Sequence, residues 1–328
     1  MNGKRRGTGE MVRLMTNVHV PVLLGPTLDA LRVRSNGRYL DATLGGGGHS
    51  EMILKGLDTS GRLVGIDRDA EAVRITGERL GVYGERFRAF HGNYSQMTEI
   101  ASACGLTELD GILLDAGLSS NQLEDADRGF SFRDSGPLDM RMDRTQAMSA
   151  RDWLAETGED EMTRVFREYG EERMARRIAK ALIAARLVSP LETTRDLAEV
   201  VSRCKGVRDG GRGSRRTHPA TQVFQAVRIA VNAELVHLQQ AMDDAMDLLA
   251  PGGRLVVIAF HSLEDRIVKR TMTRHVGRDV SLQEGGSRWE GSEPRMKWVV
   301  KKPVIASREE QVLNPRARSA KLRAVERG

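Results

Sequence analysis

The 328-residue sequence contains little cysteine, few aromatic residues and no long apolar run, and each shortage argues against a class of protein. Two cysteines, Cys104 and Cys204, are too few for a disulfide framework and lack the CxxC spacing of a zinc site. No stretch approaches the ~20 apolar residues that span a bilayer, and no apolar segment follows the basic N-terminus as in a secretory signal. Three Trp, four Tyr and seven Phe argue against a large surface for stacking nucleobases. We expect a cytoplasmic protein without a membrane span or a metal site.

Positive charge is slightly in excess and is concentrated in two segments. Lys and Arg number 51 against 45 Asp and Glu, a net charge of +6, and 42 of the 51 cations are Arg. Residues Arg203–Arg216 hold six cations and one acid, and residues Lys301–Arg327 hold eight cations and three acids. Such clusters favour a polyanionic partner, since Arg donates paired hydrogen bonds to phosphate. Solvated loops, and the arginine bias of a GC-rich genome, are the alternatives.

Short apolar segments alternate with helical intervals in the first third of the chain, which is typical of βαβ units around a parallel sheet. The predicted strands are Arg38–Leu44, Arg62–Asp67, Phe87–Gly92 and Asp110–Gly117. After a break, the pattern resumes with a long helix at Thr221–Leu249, a strand at Arg254–Phe260 and a last β segment at Arg295–Ile305. We therefore predict an α/β domain built from residues 17–125 and 217–328.

No strand is predicted between the two parts of that domain. Apolar residues from Ser149 to Ser202 recur at three- and four-residue spacing, which predicts amphipathic helices. Ser149 and Thr193 each stand three residues before an Asp, a weak signal of a capping box at a helix start. We predict an inserted all-helical domain over residues 126–216 that ends in a basic Gly/Arg-rich loop. Residues 1–16 are basic and aperiodic, and we predict that they form a disordered leader.

Four glycines, Gly45–Gly48, follow the first strand and precede a helix, which indicates a turn where the backbone approaches a ligand closely. A P-loop is disfavoured because no Lys follows these glycines. The GxGxxG pattern of a dinucleotide site fits at Gly45 and Gly47 but has Ser50 at its third glycine position. A site for S-adenosylmethionine needs the glycine turn and a carboxylate after the second strand, which Asp67 supplies. The spacing alone leaves NAD and S-adenosylmethionine open.

Asp115 ends the fourth predicted strand and is followed by the polar segment Gly117–Leu123. Ligands of open α/β sheets bind at the carboxyl ends of the strands, near the point where the strand order reverses. A side chain at that place is suited to bind an adenine, the amino-acid part of a cofactor or the target group. A strand-end Asp that caps the following turn is the alternative.

Eight segments of the sequence resemble one protein family. They are HVPVLL (His19–Leu24), DATLGGGGHS (Asp41–Ser50), GIDRD (Gly65–Asp69), DGILLDAGLSSNQL (Asp110–Leu123), RGFSFRDSGPLDMRMD (Arg128–Asp143), FQAVRIAVNAEL (Phe224–Leu235), FHSLEDR (Phe260–Arg266) and NPRARSAKLRA (Asn314–Ala324). From residue 19 to residue 324 the chain resembles the bacterial ribosomal RNA small subunit methyltransferase H family. The resemblance implies a class I S-adenosylmethionine-dependent methyltransferase (Rossmann-like) sheet with an inserted all-helical domain. It also implies methyl transfer from S-adenosylmethionine to N4 of a cytidine in 16S rRNA, in the decoding-centre region of the small subunit.

The same resemblance assigns seven residues to the cofactor site: Gly47, Gly48, His49, Asp67, Tyr94, Asp115 and Gln122. The sequence departs from the family pattern at two positions that neighbour the inferred site, with Ala116 in place of a larger aliphatic residue and Asn121 in place of the common Pro. The implied partner is 16S rRNA within the small ribosomal subunit, and a homodimer is compatible with the sequence. Phosphate contacts are expected from Arg203–Arg216 and Arg316–Arg323.

The identity of the catalytic residue stays open. The amino group of cytosine is a poor nucleophile because its lone pair is delocalised into the ring, so an acceptor for its N–H is expected. Enzymes that methylate amino groups in DNA often place a Pro-Pro-aromatic turn after the fourth strand, where this chain has GLSSNQ. Asp115 and the oxygens of the Ser119–Asn121 turn are the candidate acceptors, and His261 fits a polar strand-end turn as well as a general base. The alternative functions are a methyltransferase acting on DNA or a small molecule, and a non-catalytic RNA-binding or ribosome assembly factor.

Overall fold

The computed structural model describes residues 21–206, 218–281, 287–290 and 295–328. The predicted leader and positions 207–216 of the predicted basic loop lie outside the described residues. The chain forms two compact units: an α/β unit from the described residues of 21–67, 71–116 and 243–328, and a helical unit from those of 68–70 and 117–242. None of the described helices combines the length and the apolar character that crossing a membrane requires.

An eight-stranded sheet organises the α/β unit. Its strands are β1 (Arg38–Asp41), β2 (Arg62–Asp67), β3 (Phe87–His91), β4 (Leu109–Ala116), β5 (Leu249–Ala259), β8 (Met296–Trp298), β9 (Val304–Ile305) and β10 (Lys321–Arg327). The order is β3-β2-β1-β4-β5-β10-β8, with β9 paired to β10. The first five strands are parallel, and β10 is antiparallel to β5 and β8. The predicted class I methyltransferase sheet is confirmed. A separate antiparallel pair joins β6 (Arg278–Ser281) to β7 (Ser287–Glu290).

Burial on both faces explains why the parallel strands read as continuous apolar runs. In β4, Leu109 and Ile112–Leu114 have no exposed surface. The helices of this unit are α1 (Leu24–Leu31), α2 (Gly48–Gly56), α3 (Ala70–Leu80), α4 (Met97–Ala103), α12 (Ser262–Val276) and α13 (Arg308–Leu313). The strand order reverses between β1 and β4, so the carboxyl ends of these two strands mark the place where a ligand is expected.

The end of the sheet differs from the sequence prediction. The predicted last β segment, Arg295–Ile305, contains only the short strands β8 and β9, and the long final strand is β10. The five central residues of β10 are buried although two of them, Arg323 and Glu326, are charged. Arg323 forms an ion pair with Asp265 (Nε–Oδ1, 2.7 Å), and this pairing lets a charged residue occupy a buried strand.

The helical unit is built from amphipathic helices, as the spacing of apolar residues predicts. They are α5 (Ser120–Glu124), α6 (Ala150–Glu156), α7 (Glu159–Glu168), α8 (Ala175–Val188), α9 (Thr194–Cys204) and α10 (Thr221–Asn232), followed by α11 (Glu234–Leu248). The predicted caps are confirmed, because Ser149 and Thr193 form capping boxes with Asp152 and Asp196. Large apolar side chains such as Phe166 are fully buried in one core.

This unit extends further along the chain than the predicted insertion of residues 126–216. Val223, Phe224 and Val227 of α10 belong to the helical core, and Leu118 packs against it, so the compact unit runs from residue 117 to residue 242. The predicted single helix Thr221–Leu249 was wrong. Ala233 adopts a left-handed conformation (φ 48°), which ends α10 and separates it from α11.

Candidate cofactor site

A glycine turn connects β1 to α2 at the carboxyl edge of the sheet. Gly45 (φ +48°) and Gly47 (φ +70°) both lie in the left-handed region that favours glycine. The carbonyl oxygens of the turn accept hydrogen bonds from α3: Gly45 from Thr76 Oγ1 (2.7 Å) and Gly46 from Arg79 Nη2 (2.6 Å). A Cβ on Gly47 would lie 2.4 Å from Thr76 Cγ2, whereas one on Gly46 would meet nothing within 4 Å. The turn is therefore fixed on its α3 side and open at Gly46.

The carboxylate of Asp67 closes this turn from the neighbouring strand. Asp67 ends β2, and its Oδ2 accepts a hydrogen bond from the backbone N–H of Gly45 at 2.6 Å. The backbone carbonyl of Asp67 accepts a second bond from the N–H of Gly92, which follows β3 (2.9 Å). The acid is thus held at the turn, where the sequence predicts a carboxylate for a ribose.

Asp115 lies across the switch point, at the carboxyl end of β4. Its backbone N–H donates to Thr43 Oγ1 at 2.6 Å, which ties the end of β4 to the segment that follows β1. Its side chain retains 25% exposure, yet the atom Oδ1 is buried and has no hydrogen-bond partner among the described residues. A buried carboxylate oxygen without a donor is costly unless a ligand supplies one.

His49 faces the other oxygen of Asp115 without forming an ion pair at neutral pH. The imidazole Nδ1 lies 3.7 Å from Asp115 Oδ2, and Nε2 lies 3.1 Å from the carbonyl oxygen of Val22. Because a carbonyl only accepts, Nε2 must carry the proton. Burial lowers the pKa of His49 to about 4, so the ring is neutral at pH 7.

Two carboxyl groups with raised pKa values, the buried Asp41 and the partly buried Asp115, lie at this edge of the sheet. Burial, with smaller contributions from neighbouring Asp41 and Glu264, raises the pKa of Asp115 to about 7 against the opposing charge of Arg316. Burial also raises the pKa of Asp41, whose Oδ2 accepts from Ser50 Oγ at 2.7 Å. Asp115 therefore changes its protonation near neutral pH, as a general base does.

Tyr94 completes the edge beside β3. It opens the 3-10 helix Tyr94–Gln96, which is fixed by a capping box between Asn93 and Gln96, and its side chain is partly buried. Six of the seven predicted site residues thus lie in the strand ends, turns and helix starts at the carboxyl edge of the sheet of the α/β unit: Gly47, Gly48, His49, Asp67, Tyr94 and Asp115.

Gln122, the seventh, belongs to the helical unit and is held by that unit's own contacts. Its Oε1 accepts from the N–H of Ser119 (3.1 Å), and its Nε2 donates to Asp69 Oδ2 (3.0 Å). Asp69 also forms a buried ion pair with Arg128 (Nη1–Oδ2, 2.5 Å). Sequence reasoning missed this network, although Asp69 and Arg128 both lie in the segments that carry the family resemblance.

Two of the remaining candidate acceptors, Ser119 and His261, already have structural roles. Ser119 Oγ accepts from the N–H of Gln122 at 3.1 Å, as the cap of α5. His261 caps α12: its Nδ1 accepts from the N–H of Glu264, whose Oε2 accepts from the N–H of Phe260. This geometry supports the interpretation of His261 as part of a polar strand-end turn.

The predicted phosphate-binding segment Arg316–Arg323 divides into two groups. Arg323 is 7% exposed and paired with Asp265, and Lys321 contacts the same carboxylate at 3.2 Å. Arg318 is exposed, and Arg316 is half-buried beside Asp115. The expectation of a phosphate contact from Arg323 is therefore not supported by its burial, and Arg316 and Arg318 are the better placed cations.

Comparison with known proteins gives a consistent assignment. A family model described as the MraW methylase family matches residues 16–328. The ribosomal RNA small subunit methyltransferase H of Geobacter sulfurreducens is 46% identical over 313 residues, which cover 95% of this chain and all of that protein. The proteins of the same name from Methylococcus capsulatus and Symbiobacterium thermophilum are 49% and 46% identical, covering 93% and 94% of this chain and 99% and 96% of theirs.

Proposed function

The chain belongs to the MraW methylase family, and we propose that it transfers the methyl group of S-adenosylmethionine to N4 of a cytidine in 16S rRNA, in the decoding-centre region of the small ribosomal subunit. Relatives named as ribosomal RNA small subunit methyltransferases, alike over nearly their whole length, support an rRNA substrate. The observation that carries the proposal is the hydrogen bond from the N–H of Gly45 to Asp67, because it places a carboxylate at an open glycine turn. A cytoplasmic location follows from the ribosomal substrate.

The residues at this edge fit S-adenosylmethionine. The turn is open at Gly46, so a ligand meets backbone there, and Asp67 is suited to accept hydrogen bonds from ribose hydroxyls. The neutral ring of His49 adds no positive charge beside a cationic cofactor. When bound, S-adenosylmethionine supplies an electrophilic methyl group on a sulfonium. These side chains hold and orient the donor, which is the main catalytic contribution in an in-line displacement.

Asp115 is the acceptor that the geometry favours for the proton of the target amino group. Its Oδ1 has no hydrogen-bond partner among the described residues, whereas Ser119 Oγ is already engaged by the N–H of Gln122. A carboxylate that accepts a hydrogen bond from the cytosine amino group makes the lone pair of the amino nitrogen more available for attack on the methyl group. The new N–C bond would form as the methyl–sulfur bond of the donor breaks and leaves a neutral thioether, and the proton of one amino N–H would pass to Asp115. The target base must leave any stack to reach this strand end.

The proposed activity is tested by mapping the methylated nucleoside. The protein is incubated with methyl-labelled S-adenosylmethionine and one of three substrates: small subunits lacking the modification, naked 16S rRNA, or duplex DNA. We expect label in N4-methylcytidine of the small subunit or its rRNA. Label in DNA alone would favour the DNA enzyme, and cofactor binding without transfer to any substrate would favour the non-catalytic assembly factor.

Asp67→Asn is expected to weaken S-adenosylmethionine binding about 10- to 100-fold, because a neutral amide replaces a charged acceptor worth about 1.5–3 kcal/mol. The same change weakens the bond that holds the glycine turn. Isothermal titration measures the dissociation constant. The matched control is Asp58→Asn, since Asp58 lies before the start of the same strand, at the end away from the glycine turn, and its side chain bonds to Ser60 and Ser35. Equal affinities for the Asp67 variant and the unmodified protein would remove Asp67 from the site.

A further inference from the structure

Two rings from separate segments stack at the surface of the helical unit. The ring centroids of Phe132 and His218 are 4.3 Å apart, with an interplanar angle of 29°. Phe132 lies in the RGFSF segment, His218 lies three residues before the first residue of α10, and both side chains are half-buried. Nothing in the proposed methyl transfer uses either residue, so the stack is a feature of the unit that still lacks a function.

The unit holds Phe132 rigidly from below. The ring packs edge-on against Phe224, at 4.9 Å and 76°, and Phe224 is 5% exposed in the helical core. The loop that carries Phe132 is tied to α9, since the N–H of Gly136 donates to Thr194 Oγ1 at 3.2 Å. A Cβ on Gly136 would lie 1.9 Å from the carbonyl oxygen of Ala126, so this loop is closely packed. These contacts fix the half-buried ring before any partner binds.

His218 is oriented by the backbone of α10. Its Nδ1 accepts a hydrogen bond from the N–H of Ala220 at 3.2 Å, and its carbonyl oxygen accepts from the N–H of Thr221 at 3.1 Å. These two backbone hydrogen bonds orient His218 so that its imidazole ring stacks on the ring of Phe132. The two stacked rings cover one face of each other, and both side chains keep part of their surface exposed.

Two exposed charged residues, Arg133 and Asp134, follow Phe132 in the chain. The guanidinium of Arg133 forms no ion pair with any described residue. In the sequence, the fifteen residues before His218 include six cations and a single acid. A flat aromatic surface with unpaired guanidinium charge suits an unpaired nucleobase and its phosphate, because bases stack on aromatic and imidazole rings while Arg binds the backbone.

We propose that the Phe132–His218 stack is a platform for one unpaired base of the RNA substrate, with Arg133 on a neighbouring phosphate. The inference rests on the proposed function, which supplies RNA as the partner. An aromatic side chain of a ribosomal protein is the competing occupant, but the surplus of positive charge favours nucleic acid. The base on the platform is separate from the base that is methylated, so the stack determines affinity and positioning rather than chemistry.

Two variants remove one ring each and spare the fold. Phe132→Leu keeps an apolar side chain against Phe224, and His218→Asn keeps an acceptor for the N–H of Ala220. Each is expected to raise the dissociation constant for naked 16S rRNA about 5- to 150-fold, the effect of losing one base–aromatic stack. Phe132→Tyr retains the ring and should bind within about twofold of the unmodified protein. Tyr83→Leu, which removes a surface aromatic of the α/β unit, is the control and should bind normally.

Salt dependence separates stacking from charge. Phe132→Leu should leave the slope of log Kd against log salt concentration unchanged, whereas Arg133→Ala should reduce it by about one. The affinity for S-adenosylmethionine should be the same in every variant. Normal RNA binding by both ring variants would overturn the platform. So would normal binding to naked rRNA with weakened binding to small subunits, which would identify a protein contact. If the unmodified protein itself neither binds nor methylates rRNA, the proposed function fails first, and the two failures are thereby distinguished.

Discussion

Asp115→Asn is expected to lower the rate of methyl transfer at saturating S-adenosylmethionine by about 10²- to 10⁴-fold, the usual contribution of a positioned general base. Asparagine keeps the shape of the side chain but cannot take a proton from the target amino group. Because Asp115 also borders the predicted cofactor site, saturation with the cofactor is needed to isolate the chemical step. Single-turnover methylation of small subunits measures that rate.

The pH dependence gives a second, independent readout of the same residue. The proton acceptor must be ionised, and burial with the neighbouring carboxyl Asp41 raises the pKa of Asp115 to about 7. The value of kcat/KM should therefore rise about tenfold per pH unit below pH 7 and level off above it. The Asp115→Asn variant should lose this rise of kcat/KM with pH as well as most of its methyl-transfer rate.

The matched control for Asp115 lies on the same strand. Asp110→Asn changes an acid at the opposite end of β4, where Asp110 pairs with the half-exposed Arg34 at 3.0 Å. This variant should retain both the methyl-transfer rate and the rise of kcat/KM below pH 7. If Asp115→Asn kept the methyl-transfer rate of the unmodified protein, or kept the rise of kcat/KM with pH, a residue other than Asp115 would be the proton acceptor.

The sheet and the location of the site follow from local sequence patterns. Strands β1, β2 and β4 are buried on both faces, so their continuous apolar runs and the polar residues that end them are visible in the sequence. Strand β10 escaped prediction because its charged residues neutralise distant partners: Arg323 with Asp265, and Glu326 with Arg254. The partners in these two ion pairs are separated by 58 and by 72 positions in the sequence, so the pairs leave no periodic pattern that a strand prediction could use.

The protonation of the residues at the carboxyl edge of the sheet was still harder to predict than β10, because it depends on long-range contacts. A glycine turn and a strand-end Asp could be predicted, but the raised pKa of Asp115 arises from burial and from Asp41, which lies on another strand. The break after Asn232 was equally hidden, since Ala233 is a strong helix former that here adopts a left-handed conformation. Tertiary packing overrode local preference at both places.

Arg128→Ala is expected to lower the free energy of unfolding of the helical unit by about 3–5 kcal/mol, the cost of breaking a buried ion pair from one side. The side chains of Arg128 and Asp69 are only 8% and 9% exposed, and Arg128 also donates to the carbonyl oxygens of Arg141 and Met142. The truncation leaves a buried acid without this cation and two carbonyls without a donor. Urea denaturation followed by the fluorescence of Trp153, which is buried in the same unit, measures the change.

Two further variants show whether the loss of stability in Arg128→Ala comes from breaking the ion pair with Asp69. Arg144→Ala removes an exposed cation from the same loop and should change stability by less than about 0.5 kcal/mol. The double variant Asp69→Asn with Arg128→Met removes both charges and should recover part of the loss, because no unpaired charge then stays buried. A loss below about 1 kcal/mol for Arg128→Ala would mean that the loop is held by its backbone bonds alone. The ion pair would then have to be explained by its contact with Gln122, whose amide donates to the same oxygen of Asp69.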